Sequence, residues 1–463
     1  MQKNQLMQSL WLLLLIIGFL LLASLLPPFT VGSLSFKKIN LLADIQTNPE
    51  LEIIPSTLTL QEDTTRDSTL VENLPVKIKP QTFPCPEGIT CLEDFTADKR
   101  ALQSFFQALR NAKSKPVRIA FYGDSFIEGD ILCGSFRDTL QNLYGGRGVG
   151  YVPLASEVTQ YRTSIQHTYA NWKTYSLVGK YKDTVPPLGI SGYAFVPAQQ
   201  NEVEYMPGRK QAARKFDHIR VFYQARGTSF MNYSLNDTTQ HSLALNVSDS
   251  LQQVTIPEQN AQSIKLNFTN PDSVVLYGVS FEASKGVYVD NFAMRGNSGM
   301  SLSVLPPDLI KQFNYYQDYK LILLQYGLNI VSETDSMNYV WYQSKMVKVI
   351  NQLKELFPKA SIILIGISDR AGNINGKIQT IPAIPRMRDA QREIARKTRI
   401  AFWDLYTAMG GENTMVKYVA AQPPLGAKDY THLTFRGGQK IAKKLSDALI
   451  YERTRYDKNP ILP

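Results

Sequence analysis

The sequence predicts an α/β protein built on a parallel sheet, with an inserted antiparallel β-sandwich. Three observations carry this. Short apolar runs alternate with helical periods over residues 98–145 and again after residue 300, as expected for parallel strands buried on both faces. Between them, residues 151–290 lose the helical period and carry short alternating stretches separated by turn residues, the pattern of an antiparallel sandwich. The 463 residues are 44% hydrophobic and 19% charged, enough for two or three domains with real cores and far from the composition of a disordered chain.

The chain opens Met1-Gln2-Lys3, and Leu10–Leu26 is then free of charge. A membrane-spanning helix needs about 20 apolar residues, with about 17 as the lower limit. Met7–Ser9 and Pro27–Phe29 bring the run into that range. Lys3 points the N-terminus toward the cytoplasm. A cleaved signal peptide is the rival reading, but the run is long for one, and Pro27-Pro28-Phe29 stands where a small-x-small site is needed. The expectation is an uncleaved N-terminal transmembrane helix within residues 1–29. It implies a single-pass protein of the inner membrane with its folded body in the periplasm. Residues 30–95 read as a spacer, polar over Thr57–Asn73 and then rich in proline at Pro75, Pro80, Pro84 and Pro86. Cys85 and Cys91 close a short loop. A disulfide and two free thiols are both open there.

Leu102, Phe105, Phe106 and Leu109 fall at helical spacing, and Val117–Tyr122 is a buried-strand run that leads straight into Gly123-Asp124-Ser125. Phe136, Leu140 and Leu143 then mark a helix that Gly145-Gly146 stops. Ser125 thus lies at the exit of a strand, the edge of an open α/β sheet at which ligands bind. His218–Tyr223, Ser242–Val247, Ser263–Phe268 and Val274–Phe281 are the strand candidates of the insertion. Beyond residue 300, Tyr319–Gln325, Ala360–Ile367 and Ile400–Trp403 are strand candidates, and Val340–Phe357, Arg388–Lys397 and Phe435–Leu449 are helices. The organisation expected is 1–29 anchor, 30–95 spacer, 96–150 with 291–455 as one α/β domain, and 151–290 as the insertion.

The formal charge of +10 favours anionic partners. No zinc-finger spacing, basic aromatic helix or RNA-binding signature occurs, so nucleic acid is not expected. No cluster of His, Cys and carboxylates suggests a metal, and no cofactor is expected. Gly145–Gly150 follows a helix and lacks a Lys-Ser/Thr ending, so it is a helix stop rather than a phosphate loop. Glu128 and Asp130 suit the N-terminus of the next helix, and Cys133 suits a buried apolar position.

A serine hydroxyl becomes a nucleophile only with a base in hydrogen-bond reach, a group that orients the base and donors for the oxyanion. Of the four histidines, His167, His218 and His241 fall in the insertion, whereas His432 lies between α/β elements with Asp429 three residues before it. In a loop or first helical turn that spacing lets the carboxylate reach Nδ1. The alternative is a helix start in which Asp429 or Thr434 caps and His432 is merely exposed. Gly299 offers a bare backbone N–H and Asn329 a side-chain amide, each in a turn of the resumed α/β pattern.

Ser125, Gly299, Asn329 and Asp429-x-x-His432, in this order, resemble the four blocks of the SGNH (GDSL-like) hydrolase family. The resemblance covers about residues 115–150 and 290–450. It implies a flavodoxin-like three-layer sandwich. It also implies Ser125 as nucleophile, His432 as base and Asp429 as its orienting group, with the Ser125 and Gly299 amides and the Asn329 side chain around the oxyanion. Phe126 stands where many members have Leu or His, and Ile330 replaces the last residue of Gly-x-Asn-Asp. An insertion at this place resembles that of bacterial peptidoglycan O-acetylesterases, in which a carbohydrate-binding-like domain interrupts the hydrolase. The expected activity is therefore removal of O-acetyl groups from an envelope polysaccharide, with the acetylated glycan as partner. An O-acetyltransferase using the same residues and an inactive glycan-binding protein are the alternatives. Tyr161, Tyr169, Trp172, Tyr175, Tyr181 and Tyr193 are candidates for stacking on sugars or for filling the sandwich core. Nothing in the sequence speaks to oligomeric state.

Overall fold

The structure, a computed structural model, describes residues 11, 29–31, 34–36 and 85–458, except 183, 209–215 and 334–337. Contacts divide the chain into Met1–Pro75 and Val76–Pro463. In the first unit, Phe29–Val31 pairs antiparallel with Leu34–Phe36. The expected membrane helix is corrected here. Among the described residues no helix is long and apolar enough to cross a membrane. Of Leu10–Leu26 only Trp11 is described; the rest of the run lies outside the described residues. Phe29, counted toward the span, instead opens a strand. Pro27 and Pro28 just before it lack amide donors and work against a helix running on to that point. The expectation of a single-pass inner-membrane protein anchored by that helix is corrected with it.

In the second unit five runs lie side by side as a parallel sheet: Pro116–Gly123, Gly286–Ala293, Tyr319–Gln325, Ser361–Ile365 and Ala401–Trp403. Their spatial order, numbered along the chain, is 2-1-3-4-5, the flavodoxin-like order. Gly286–Ala293 is buried at every position, as a strand covered on both faces requires. It straddles the expected end of the insertion at residue 290 and pairs with Pro116–Gly123 over its whole length. Helices Cys133–Tyr144 and Phe435–Lys458 pack together, as do Val340–Leu356 and Ala383–Thr398.

The last residues of the expected spacer are folded onto this sheet. Glu93–Asp94 pairs antiparallel with Ala401–Phe402, and Leu92 and Phe95 are buried. Cys85 and Cys91 form a disulfide in the approach. The Trp403 indole N–H donates to the Thr90 carbonyl at 3.0 Å, so the aromatic that ends the sheet also fixes this segment.

Residues 150–282 supply nine antiparallel strands. The expectation was a sandwich of two sheets. Hydrogen bonding instead joins all nine into one sheet, because Tyr193–Pro207 changes partner along its length. It meets Val274–Glu282 at Phe195 and Ile264–Phe268 at Val203–Tyr205. Val152, Phe195, Val203, Tyr205, Ile219, Val221, Leu266, Val279 and Phe281 form its core.

A buried ion network ties the two sheets. Glu282 of the antiparallel sheet is bonded by Arg118 of the parallel sheet and, at 3.1 Å, by Arg220. Arg118 also donates to the Gln317 carbonyl at 3.0 Å, and Arg220 to the Gln317 side-chain oxygen at 2.7 Å. Burial raises the Glu282 pKa, but the two guanidiniums outweigh it and hold the carboxyl below its usual range. Removing one member of such a network leaves the others charged and dry. Glu282→Ala is expected to destabilise the fold by about 3–5 kcal/mol, measured as a fall in the guanidinium midpoint. Glu282→Gln, which keeps two hydrogen-bonding atoms, is expected to cost less.

Candidate active site

Strand Pro116–Gly123 ends at the carboxyl edge of the sheet beside Tyr319–Gln325, the point where the strand order reverses. Ser125 begins a short 3-10 turn there. Asp124 caps that turn, its carboxylate accepting the Phe126 N–H at 2.9 Å. Ser125 Oγ lies 2.8 Å from His432 Nε2, and His432 Nδ1 lies 2.6 Å from Asp429 Oδ2.

The loop before Phe435–Lys458 explains how three residues of spacing align the pair. Asp429 Oδ1 accepts the Thr431 and His432 N–H groups at 2.9 and 3.0 Å, an Asx turn. That leaves Oδ2 to face the imidazole. Thr434, not Asp429, caps the following helix, its hydroxyl accepting the Gly437 N–H at 3.2 Å. Burial alone raises the Asp429 pKa, but the hydrogen bonds from His432 and Thr431 outweigh it and hold the carboxyl below its usual value. His167 is elsewhere, buried and stacked on Tyr205 at 4.8 Å between centroids. Burial there lowers its pKa to about 4.

Gly299 and Asn329 lie close together, joined through Asn297. Gly299 is in the left-handed region, at φ +86°, and a Cβ there would meet the Tyr326 ring at 2.7 Å, so only glycine fits. Its N–H donates to Asn297 Oδ1 at 2.8 Å. The Asn329 amide donates to Asp124 Oδ2 at 3.1 Å and to the Asn297 carbonyl at 3.2 Å. Both nominated oxyanion donors thus already have partners within the protein. Asn297 and Asp124, which the sequence reading did not single out, are those partners. Asn297-Ser298-Gly299 carries the signal for an Asx turn, but nothing in Gly-Asp-Ser reveals that Asp124 reaches Asn329.

Asp124 is fully buried. Burial pushes its pKa up to about 7, against the lowering effects of the Phe126 N–H, His432 and the Asn329 amide.

Glu128 and Asp130 do not cap the next helix. Leu132 holds the N-cap position of Cys133–Tyr144, without a side-chain bond. Glu128 pairs with Arg295 through two bonds of 2.5 Å. Asp130 accepts from Arg137 at 2.9 Å, from Asn291 at 2.8 Å and from Ser164. Cys133 is buried, which pushes its thiol pKa up. Ser125, Glu128, Gly129, Ile131, Tyr161, Arg295, His432 and Phe435 line one cleft of about 590 Å³.

No protein-family model and no curated protein matches the sequence. Among solved structures, a peptidoglycan O-acetylesterase superposes with a TM-score of 0.64 at 19% identity, covering 79% of this chain and 99% of that one. The chain has the SGNH (GDSL-like) hydrolase fold. Looser likenesses are a family two carbohydrate esterase from Cellvibrio japonicus and a salicylyl acyltransferase from a tetracycline biosynthetic pathway. The first has a TM-score of 0.26 at 10% identity, over 63% of this chain and 98% of that one. The second has 0.25 at 12%, over 62% and 97%.

The Asp124 shift has a pH signature. A carboxyl whose folded pKa lies above its unfolded value binds more protons in the folded state between the two pKa values. Stability therefore falls as pH rises from about 4 to about 7. Asp124→Asn removes that titration. The variant's melting temperature is expected to gain on wild type between pH 4.5 and pH 8, read by thermal denaturation at both pH values. A constant difference would refute a raised Asp124 pKa.

Proposed function

We propose that this chain is a serine ester hydrolase that removes O-acetyl groups from a polysaccharide, with peptidoglycan as the leading substrate. The observation that carries this reading is the hydrogen-bonded row from Ser125 Oγ through the His432 ring to Asp429, at 2.8 and 2.6 Å, opening on a cleft. The SGNH fold shared with an O-acetylesterase supports it.

In this mechanism Ser125 Oγ attacks the acetyl carbonyl and His432 Nε2 takes its proton. The tetrahedral intermediate collapses as His432 returns that proton to the departing sugar oxygen, leaving acetyl-Ser125. Water then attacks the acyl carbon with His432 again as base, and the second intermediate collapses as His432 passes that proton to Ser125 Oγ and acetic acid leaves. Asp429 holds the imidazole with Nδ1 protonated and stabilises the imidazolium. Asn329 would donate to the oxyanion, and Gly299 would join it only by giving up its 2.8 Å bond to Asn297 Oδ1. The Asn329 bonds, at 3.1 and 3.2 Å, are at the long end of the N–H···O range. A full negative charge forms bonds about twice as strong as neutral ones, so the intermediate can compete for the hydrogen on the neutral Asn297 carbonyl, and for the one on Asp124 when that carboxyl is protonated.

Ser125→Ala and His432→Ala are each expected to lower kcat by roughly a thousandfold or more on an O-acetylated chitooligosaccharide. Asn329→Ala is expected to cost about a hundredfold or more. Acetate release, followed alongside transfer to an added oligosaccharide, checks all three. Near-normal release by either of the first two variants would overturn the assignment. Predominant transfer would make the chain an acetyltransferase.

A further inference from the structure

Of the six aromatics nominated for sugar stacking, Tyr175 and Tyr193 are buried, Tyr169 packs on His167, Tyr181 packs on Tyr175, and Trp172 packs edge-on against Phe268. Tyr161 is different. It is 61% exposed and lines the cleft that holds Ser125 and His432, as does Phe435, at 50%. Isolated exposed hydrophobes are common, so exposure by itself assigns nothing.

Tyr161 is built into its place. Its carbonyl oxygen closes on Gly129, where a Cβ would meet it at 3.2 Å with φ at +63°. The Arg295 guanidinium lies over its ring, 5.4 Å from the centroid. Arg295 is itself held by Glu128, whose side chain is only 8% exposed, through Nε and Nη2. A guanidinium has five N–H donors, and the two on Nη1 are not used in that pair. The nucleophile loop thus carries a fixed aromatic plane with hydrogen-bond donors at its edge.

The cleft, at about 590 Å³, is far larger than an acetyl group and falls in the usual range for a small-molecule site, roughly 300–1,000 Å³. Glu128 balances the Arg295 charge, so the wall does not call for an anion. A neutral ring with apolar C–H faces and hydroxyls around its rim fits these surfaces. We propose that Tyr161 and Phe435, with Arg295 at their edge, form the subsite for the pyranose ring that bears the ester. This rests on the esterase reading above and adds the residues that would select a sugar.

The test uses the full chain and two probes. Chitotetraose binding is measured calorimetrically on Ser125→Ala, with and without Tyr161→Ala or Phe435→Ala. Hydrolysis is measured as the ratio of kcat/KM on O-acetylated chitotetraose to that on ethyl acetate, which has no ring. Tyr161→Ala is expected to weaken binding and lower the ratio, each about tenfold, and Phe435→Ala to act in the same direction. Tyr161→Trp, which keeps a ring face, is expected to restore most of both. A fall in both rates at constant ratio would mean that Tyr161 only props the Gly129 loop, and would overturn the proposal. Ester turnover without chitotetraose binding would also overturn it while leaving the esterase reading intact. Tyr161-dependent binding without turnover of either ester would do the reverse.

Discussion

The Asp130 carboxylate holds together the parts on which the site depends. It is buried in the loop that leaves Ser125, and an unpaired carboxylate there would be very costly. One oxygen takes Arg137 and Ser164, and the other takes Asn291. Arg137 also donates to the Val289 carbonyl, Asn291 to the Ile127 carbonyl, and Arg162 to the Asn291 carbonyl. Burial raises the Asp130 pKa, but Arg137 and Arg162 outweigh it and keep the carboxyl ionised well below its usual range. The loop after Ser125 is therefore shaped from three sides: the helix after it, the edge strand of the parallel sheet and a segment between two strands of the antiparallel sheet.

This bears on how separable the insertion is. Tyr161, Arg162 and Ser164 all lie in the segment between two strands of the antiparallel sheet, yet Tyr161 lines the Ser125 cleft, Ser164 bonds Asp130 in the loop behind Ser125, and Arg162 bonds the Asn291 carbonyl of the parallel sheet. The Arg118–Glu282–Arg220 network joins the two sheets again at the insertion's other end. Cutting out residues 151–290 would strand buried charges at both places. The insertion is thus part of the framework around Ser125 as well as a candidate carrier of specificity.

Much of the α/β body was legible because its signals are local. Leu321-Ile-Leu-Leu and Ser361-Ile-Ile-Leu-Ile have no stable place except in a buried strand, and Ser125 and Asn329 sit in turns just after such strands. The meeting of Asp429 with His432 was legible as spacing, since an Asx turn over three residues is a local event. The antiparallel sheet was legible only in part. Tyr193–Pro207 and Ser248–Ala261 run through polar stretches such as Gln199-Gln200-Asn201-Glu202, in which only Asn201 is buried, bonded to the Phe268 backbone, so there is no apolar alternation to read. Gly286–Ala293 was hidden for another reason: Tyr288, Asp290 and Asn291 interrupt the apolar run. Each is buried with partners that only the tertiary fold supplies, such as Tyr319 and the Tyr151 N–H for Asp290. The same holds for Asp124, whose tie to Asn329 spans 205 residues. The membrane span was overread, because apolar length was extended through two prolines to a residue that forms a strand.

Net charge, finally, misdirects at the site itself. The chain carries +10, and taken globally that favours an anionic partner. At the cleft, however, Arg295 is matched by Glu128, while Asp429 faces His432. What the cleft presents in excess is aromatic surface and unpaired guanidinium N–H groups rather than charge. Selection by ring faces and hydrogen bonds follows from that arrangement. A basic surface elsewhere could still draw the protein toward an anionic polymer, through forces that salt screens beyond about 8–10 Å. The two effects act at different distances, so approach to a charged polymer and choice of a neutral ring within it need not share a single residue.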